Sequence, residues 1–286
     1  MRKSICSIFM LVFLLFVTGC TEQATKEQAE AGIVVICPEI VQILDRLEVD
    51  AVIGIVDMED LPARYKEVAI IGTPETLDIA AIEELKPSLV LGGSEHEETQ
   101  APLFVERRMD SAFINLSNTT EMMQSIRELG PLIEREEEAN ELVNEFQGTM
   151  QALRNEVLDK EIATVLILVG NEDGYRVANE TSYIGNLLKL AGGLNVFGSE
   201  HGEAYIEVSE EEMGQANPDI IIRLASSSAE GIQEMFDEEF ATNEMWGSLE
   251  AVVNEEVYDL TYQVFGSTPQ LDYQESIHQL KDILYK

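Results

Sequence analysis

The sequence has few basic residues: 18 Lys and Arg stand against 54 Asp and Glu among 286 residues, for a formal net charge of −36 at pH 7. A surface this negative repels the phosphates of nucleic acids and excludes a nucleic-acid-binding role. It also disfavours adhesion to a membrane through basic patches. The hydrophobic content of 45% is typical of globular proteins. The length is enough for one large domain or for two lobes of about 100–130 residues each.

Cysteine is also scarce, and one of the three cysteines ends an N-terminal targeting pattern. Basic residues precede an apolar run over residues 5–17, which is shorter than the roughly 20 residues that span a bilayer. The run ends in Val17-Thr18-Gly19-Cys20, and this pattern is typical of a bacterial lipoprotein signal. We therefore expect a signal peptide over 1–19, diacylglycerol and palmitate chains on Cys20, a flexible tether over 20–31, and a location on the extracytoplasmic face of the cell membrane.

Motifs for common enzyme chemistries are missing from the sequence. It has no Gly-x-Ser-x-Gly, no Cys-x-x-Cys, no phosphate-binding glycine loop with Lys and no His-Glu-x-x-His. Once Cys6 is removed with the signal and Cys20 is lipidated, Cys37 is the cysteine left in the folded part, so no intrachain disulfide can form. The sequence predicts a protein that is not an enzyme and whose stability comes from core burial.

Short apolar runs alternate with segments whose apolar residues recur at helical spacing, which predicts βαβ units and mainly parallel sheets. The alternation stops over 119–160, where a long charged helix is expected from Leu132 to about Leu158. We expect an α/β fold of two Rossmann-like lobes joined by one long helix. The predicted parts are an N-terminal lobe over 32–131, a connecting helix over 132–160 and a C-terminal lobe over 161–286.

The loops that follow the predicted strands are expected to line a ligand site. Ligands of parallel α/β sheets bind beyond the carboxyl ends of the strands, and two facing lobes bring these ends to a shared cleft. The loops in question contain Cys37-Pro38-Glu39, Asp57-Met58, Thr73-Pro74-Glu75, Ser94-Glu95-His96, residues 171–175 and Ser226-Ser227-Ser228.

Several motifs, in order along residues 32–286, are shared with one class of transport proteins. The most specific are Thr181-Ser182-Tyr183-Ile184-Gly185 with Lys189-Leu190-Ala191-Gly192-Gly193, and Asn217-Pro218-Asp219-Ile220-Ile221. The others are Leu61-Pro62-Ala63-Arg64-Tyr65-Lys66, Glu84-Leu85-Lys86-Pro87, Val165-Leu166-Ile167-Leu168, Met235-Phe236-Asp237-Glu238-Glu239-Phe240 and Val257-Tyr258-Asp259-Leu260. By these motifs the sequence resembles the solute-binding lipoproteins of ABC transporters for haem, siderophores or cobalamin, and within them the IsdE-type haem-binding lipoproteins.

The resemblance implies that haem, or a related iron chelate, is bound in the interlobe cleft and delivered to an ABC permease and its ATPase. It implies iron transport by a monomer on a lipid anchor, with upstream surface haem carriers as further partners. The long helix predicts little hinge bending on capture. Two alternatives stay open: a ferric siderophore or corrinoid as the ligand, and a surface interaction or sensory lipoprotein that does not transport.

The residues that hold haem iron in this family are replaced here. The family binds the iron between a methionine that follows Gly-x-Pro and a histidine that follows a strand of the second lobe. The resemblance assigns these positions to Glu75 and Ser226, which cannot reproduce the pair. Glu75 could instead meet a cationic group or be an ordinary exposed carboxylate. Ser226 and the two serines after it could bond to a ligand or cap the next helix.

Other side chains could replace the lost iron ligands. Met58 lies where the family places an aromatic residue that contacts the tetrapyrrole, and its thioether makes it the candidate axial ligand, with simple packing as the alternative. Cys37 precedes a helix start, which lowers a thiol pKa and would favour a thiolate ligand, with a buried small residue as the alternative. His96 could reach the cleft or stay solvated. The predicted binding set is Cys37, Pro38, Glu39, Asp57, Met58, Glu75 and Ser226.

The resemblance also implies one exposed Glu on each lobe for docking to arginines of the permease. Glu211 has that position on the second lobe. The first-lobe position is Ala80, for which Asp78 or Glu83 could substitute, although each carboxylate could also be an ordinary solvated charge.

The remaining candidates are Arg176 and Arg223, as the nearest cations for an anionic ligand, and His201 and His278, which are expected on the surface.

Overall fold

The computed structural model describes residues 32–171, 173–225, 230–266, 269 and 271–286. Ala31–Lys286 form one compact unit. In the described part of this unit, no helix is both long and apolar enough to cross a membrane. The predicted signal peptide, Cys20 and most of the tether precede this unit and lie outside the described residues, so the lipid anchor is taken up below as a proposal.

The first lobe is built on a sheet of five parallel strands, which are β1 (Ile33–Val35), β2 (Val52–Ile55), β3 (Ala69–Ile70), β4 (Leu89–Gly93) and β5 (Ser111–Ile114). Their order is β3-β2-β1-β4-β5. Successive residues of β1 belong to different apolar clusters: Val34 packs with Ile82 and Phe104, and Val35 packs with Ile40. Both faces of the sheet are therefore buried. The covering helices are α1 (Pro38–Arg46), α2 (Ile79–Leu85) and α3 (Glu97–Glu106).

Two helices follow the first sheet, α4 (Thr119–Leu132) and α5 (Glu136–Val157). The long helix predicted from Leu132 thus begins four residues later, because α4 continues through Pro131 and the chain turns at Glu134, where φ is +57°. Gly130 allows the two helices to approach closely, since a Cβ atom there would lie 2.8 Å from the Cβ of Ala139. At 22 residues, α5 spans about 33 Å.

The second lobe is built on a mixed sheet with the strands β6 (Thr164–Asn171), β7 (Gly174–Ala178), β8 (Leu194–Asn195), β9 (Tyr205–Ile206), β10 (Ile220–Ala225) and β11 (Val257–Leu260). The order is β11-β10-β6-β7-β9, with β8 also paired to β6. Strands β6, β8, β10 and β11 run parallel, whereas β7 is antiparallel to β6 and β9. The helices of this lobe are α6 (Tyr183–Ala191), α7 (Glu210–Ala216), α8 (Glu230–Thr242), α9 (Glu244–Gly247), α10 (Glu250–Val253), α11 (Tyr262–Phe265) and α12 (Tyr273–Leu284).

Helix α5 contacts elements of both lobes. Arg46 of α1 pairs with Glu145 at 2.9 Å, and Lys281 of α12 pairs with Glu156 at 2.7 Å. A first lobe with a parallel sheet and a second lobe with a mixed sheet, antiparallel only at β7, are joined by a long helix, in agreement with the predicted fold class of mainly parallel sheets. We keep the lobe limits of 32–131, 132–160 and 161–286 as a proposal.

Candidate functional site

A cleft of about 540 Å³ lies between the lobes. From the first lobe, α1 contributes Pro38, Glu39, Gln42 and Ile43, the loop after β2 contributes Met58, Glu59 and Asp60, and α4 contributes Met122. From the second lobe, the segment between α11 and α12 contributes Pro269, Leu271 and Asp272. The cleft therefore lies at the carboxyl ends of β1 and β2, the position that parallel sheets favour for ligands.

Three of the predicted site residues line this cleft. Pro38 is the first residue of α1, a position whose backbone N–H makes no hydrogen bond within the helix, so proline is tolerated there. Glu39 follows in the first helical turn. Met58 extends from the loop after β2 and is half-buried against the core. Its neighbour Asp57 is exposed, its backbone N–H donates to the carbonyl oxygen of Gly72, and it is not among the residues that line the cleft.

Cys37 differs from the expectation of a thiolate ligand. The thiol is buried at the end of β1, where its Sγ donates a hydrogen bond to Oε2 of Glu39 at 3.0 Å. Burial raises the pKa of Cys37, and the negative charge of Glu39 raises it further. These two effects outweigh the start of α1, so the thiol stays protonated at neutral pH. The prediction of a lowered thiol pKa is therefore wrong.

Glu75 and His96 do not line the cleft. Glu75 is exposed in a tight turn, in which the backbone N–H of Thr73 donates to the carbonyl oxygen of Thr76 at 2.9 Å. His96 is exposed beside Glu95, with 3.6 Å between Nε2 and Oε1. His278 is exposed as expected. Ser226 and the side chain of His201 lie outside what the structure describes.

Arg223 is not available to an anionic ligand. It is buried on β10 and makes two hydrogen bonds of 2.7 Å to the carboxylate of Asp259 and one of 3.0 Å to Asp237. Its guanidinium also lies over the ring of Phe240, 5.0 Å from the centroid. The interpretation of Arg223 as a ligand-binding cation is therefore wrong, because two carboxylates already neutralise it.

A second cavity of about 240 Å³ lies at the carboxyl ends of β6 and β10 in the second lobe. It is lined by Val169, Asn171, Arg176, Tyr205, Leu224, Tyr262 and Gly266. Arg176, the other cation considered from the sequence, therefore faces a cavity. Tyr262 and Gly266 line this cavity, and Pro269, Leu271 and Asp272, which follow them in sequence, line the cleft.

The cleft is acidic. Glu39, Glu59, Asp60 and Asp272 line it, and no Lys, Arg or His does so in the described part of the chain. The other described lining residues are Gln42, with a polar amide, and aliphatic or thioether side chains, with Met58 and Met122 among them. No group of three or more His, Cys, Asp or Glu side chains among the described residues could hold a metal ion.

Several cleft residues were not predicted from the sequence. Gln42 lies one helical turn after Glu39, so helical spacing alone could have found it. Its side chain donates to the backbone carbonyl of Asp60 at 2.7 Å and so links α1 to the loop after β2. Leu271 and Asp272 follow a short helix whose sequence carries no clear periodicity. Their place in the site depends on the packing of α12, which no local pattern shows.

The predicted docking carboxylates occupy different environments. Glu211 is exposed in the first turn of α7 and accepts a hydrogen bond from Gln215 at 3.1 Å. On the first lobe, Asp78 caps α2 by accepting from the backbone N–H of Ala81 at 3.0 Å. Glu83 lies 4.0 Å from Arg107.

The described geometry agrees with what comparison with known proteins finds. The chain matches the model of the periplasmic binding protein family over residues 33–264. It is 34% identical over 281 residues to the high-affinity heme uptake system protein IsdE of Staphylococcus aureus, a match that covers 97% of this chain and 96% of the relative.

Two solved structures are similar to this chain in both fold and sequence. An ABC transporter substrate-binding protein from Listeria monocytogenes has a TM-score of 0.79 and 35% identity, with 89% of this chain and 98% of that chain covered. S. aureus IsdE complexed with heme has a TM-score of 0.74 and 35% identity, with 89% and 99% covered. The resemblance, the two-lobe fold and the prediction that the chain is not an enzyme are confirmed. The chain belongs to the periplasmic binding protein family.

Proposed function

We propose that this chain is the membrane-anchored solute-binding component of an ABC importer, and that it binds haem or a related iron chelate in the interlobe cleft and delivers it to a permease. The observation that carries the proposal is the cleft of about 540 Å³ lined by both lobes, in a chain 34% identical to a heme uptake protein. Apolar walls from Ile43 and Leu271 suit a flat, largely apolar ligand.

Met58 is the proposed iron ligand. A thioether is a known axial ligand of haem iron. Met58 reaches the cleft from a loop and is half-buried, whereas the side chain of Met122 is 1% exposed and belongs to the core. A ligand atom must approach the metal from the cleft wall, which favours the residue on the loop.

A lipid anchor on Cys20 and docking through Glu211 complete the proposal. The anchor rests on the sequence pattern at residues 17–20. Glu211 is exposed at the N-terminal end of α7, where an arginine of the permease could pair with it. On the first lobe Asp78 is engaged as a helix cap and Glu83 lies near Arg107, so docking there would use other carboxylates.

A ferric siderophore or a corrinoid is the second candidate ligand. The observation that favours it is the acidic lining of the cleft, because four carboxylates without a basic residue among the described lining repel the two propionates of haem. Neutral or cationic chelates would not meet this repulsion. The apolar walls and the thioethers would serve either kind of ligand.

The test is a titration of the fragment Thr21–Lys286 with haemin, followed by the Soret absorbance. This fragment contains the compact unit that the solved relatives also span. A saturable, shifted band at one haem per chain is expected. No saturable band at micromolar protein would reject haem, and ferric siderophores and cobalamin would then be titrated by calorimetry.

Transport itself needs a separate test. Permease capture by the full-length lipoprotein in membranes, compared with a Glu211→Gln variant, measures docking. Loss of capture in the variant is expected. Haemin binding without any permease capture would instead favour a surface or sensory lipoprotein.

A further inference from the structure

Among the residues that the structure describes, the small cavity of the second lobe is lined by one cation, Arg176, and by no carboxylate. Arg176 lies on β7 between Tyr175 and Val177, which both pack into the apolar cluster on one face of the sheet. Because side chains alternate along a strand, Arg176 projects to the opposite face, where it lines the cavity. In the described part of the chain no carboxylate lies within ion-pairing distance of its guanidinium. Arg176 is therefore a permanently charged group without a described partner.

Two neutral donors accompany Arg176. The side-chain oxygen of Asn171 accepts a hydrogen bond from the backbone N–H of Asp173 at 2.9 Å, which leaves the amide NH₂ to donate elsewhere. Tyr205 also lines the cavity, and burial raises the pKa of its hydroxyl, so it keeps its proton at neutral pH. The cavity thus combines a guanidinium, an amide and a phenol, all of which can donate to an acidic oxygen.

The two cavities therefore have opposite character. The described lining of the cleft includes Glu39, Glu59, Asp60 and Asp272, whereas that of the small cavity includes Arg176. Gly266 of the small cavity and Pro269 of the cleft are only three residues apart in sequence. A ligand with an apolar body and an acidic arm would be repelled if the arm entered the cleft. It would gain charge-assisted hydrogen bonds if the arm entered the small cavity.

We propose that the small cavity holds a carboxylate of the transported tetrapyrrole, with Arg176 as its binding residue. This proposal rests on the proposed function. It fixes the orientation of the ligand: the acidic edge lies toward the second lobe, and the apolar face lies against the cleft. It also explains how a cleft with an acidic lining can accept an anionic ligand.

The experiment compares haemin with haemin dimethyl ester, in which both carboxylates are blocked. Both are titrated into fragment Thr21–Lys286 and into the variants Arg176→Gln, Arg176→Lys and Arg154→Gln. Arg154 is an exposed residue of α5 outside both cavities, so its variant changes the net charge equally without touching the proposed subsite. Thermal unfolding of each variant checks that the fold is intact.

The wild type is expected to bind haemin about tenfold or more tightly than the ester. Arg176→Gln should lose this preference, Arg176→Lys should keep part of it, and Arg154→Gln should keep all of it. Equal affinity of the wild type for both probes, or an unchanged preference in Arg176→Gln, would overturn the subsite while leaving tetrapyrrole binding in place. If neither probe binds, the proposed haem function and the subsite both fall.

Discussion

The ring of Phe146 on α5 meets the ring of Tyr273 on α12 edge to face, with the centroids 5.2 Å apart and the planes at 79°. Both side chains are buried. Tyr273 directly follows Leu271 and Asp272, which form the second-lobe wall of the cleft. The contact therefore joins the connecting helix to the segment that positions that wall.

Phe146→Ala is expected to lower the free energy of unfolding by about 3 kcal/mol, because it removes a buried aromatic side chain and leaves a cavity between α5 and α12. Urea denaturation of the fragment Thr21–Lys286 measures the change. Gln147→Ala is the control, since Gln147 is exposed on the same helix and should change stability by less than about 0.5 kcal/mol. Equal midpoints for the two variants would contradict the prediction.

A pair of glycines tests the packing of α4 against α5. Gly130→Ala places a Cβ atom 2.8 Å from the Cβ of Ala139 and 3.0 Å from the Cα of Glu136, so we expect a loss of about 1–3 kcal/mol. Gly148→Ala meets nothing within 4 Å, and should stabilise α5 by about 0.5–1 kcal/mol. The midpoint temperature of thermal unfolding should therefore fall in Gly130→Ala and rise in Gly148→Ala. A shift in the same direction would show that the close approach of α4 and α5 is not as described.

Cys37 should make stability depend on alkaline pH. Because burial raises the pKa of the thiol, the folded state keeps a proton that the unfolded state loses near pH 8.5. The protonated thiol makes its full contribution to the free energy of unfolding below about pH 8.5. Above that pH, the free energy of unfolding falls by up to about 1.4 kcal/mol per pH unit. Urea denaturation at pH 7.5, 9 and 10 should show a steeper decline for the wild type than for Cys37→Ala. If the free energy of unfolding declined equally with pH in both proteins, the thiol would not be shielded from water.

Met58 can be tested as an iron ligand by spectroscopy. If its thioether binds the iron, Met58→Leu keeps the apolar volume but changes the Soret and charge-transfer bands of bound haem and lowers affinity by about tenfold. Met122→Leu is the matched control, because Met122 also borders the cleft but is 1% exposed and packed in the core. Identical spectra for wild type and Met58→Leu would assign the ligand elsewhere.

The acidic lining of the cleft should weaken haemin binding. The double variant Glu59→Gln/Asp60→Asn removes two of its carboxylates and is expected to raise haemin affinity by about twofold for each charge at low salt, with less effect at high salt. The control is Glu137→Gln/Glu141→Gln, on an exposed stretch of α5. An equal gain in both double variants would attribute the effect to net charge and not to the cleft.

Elements with clear local signals were predictable from the sequence. The sequence predicts helices over Ile79–Leu85 and Glu210–Ala216, and α2 and α7 occupy these ranges. Asp78 and Ser209 cap their N-terminal ends. The helical spacing of apolar residues predicts a helix over Pro102–Arg108, but α3 begins at Glu97 and ends at Glu106, with Pro102 inside it. Phe104 of α3 is buried in the apolar cluster on one face of the first sheet, a contact that local spacing does not show.

The site was predictable only where it follows a strand. Pro38, Glu39 and Met58 could be placed from the topology of parallel sheets, since the carboxyl ends of strands face the cleft. The position of Arg223 could not be predicted, because its strand is buried along its whole length. The sequence of this strand therefore has no alternation of polar and apolar residues to show which face Arg223 occupies. Its partners Asp237 and Asp259 are 14 and 36 residues away in sequence, and only the folded sheet brings them together.

Helix α5 has a kinetic consequence for the proposed uptake function. Because it packs against α4 in the first lobe and α12 in the second, we expect the spacing of the lobes to change little when ligand enters. Empty and loaded molecules would then offer a permease nearly the same docking face, and the empty form would compete for it. Uptake should slow when the lipoprotein outnumbers its ligand, a self-inhibition that a closing hinge would remove.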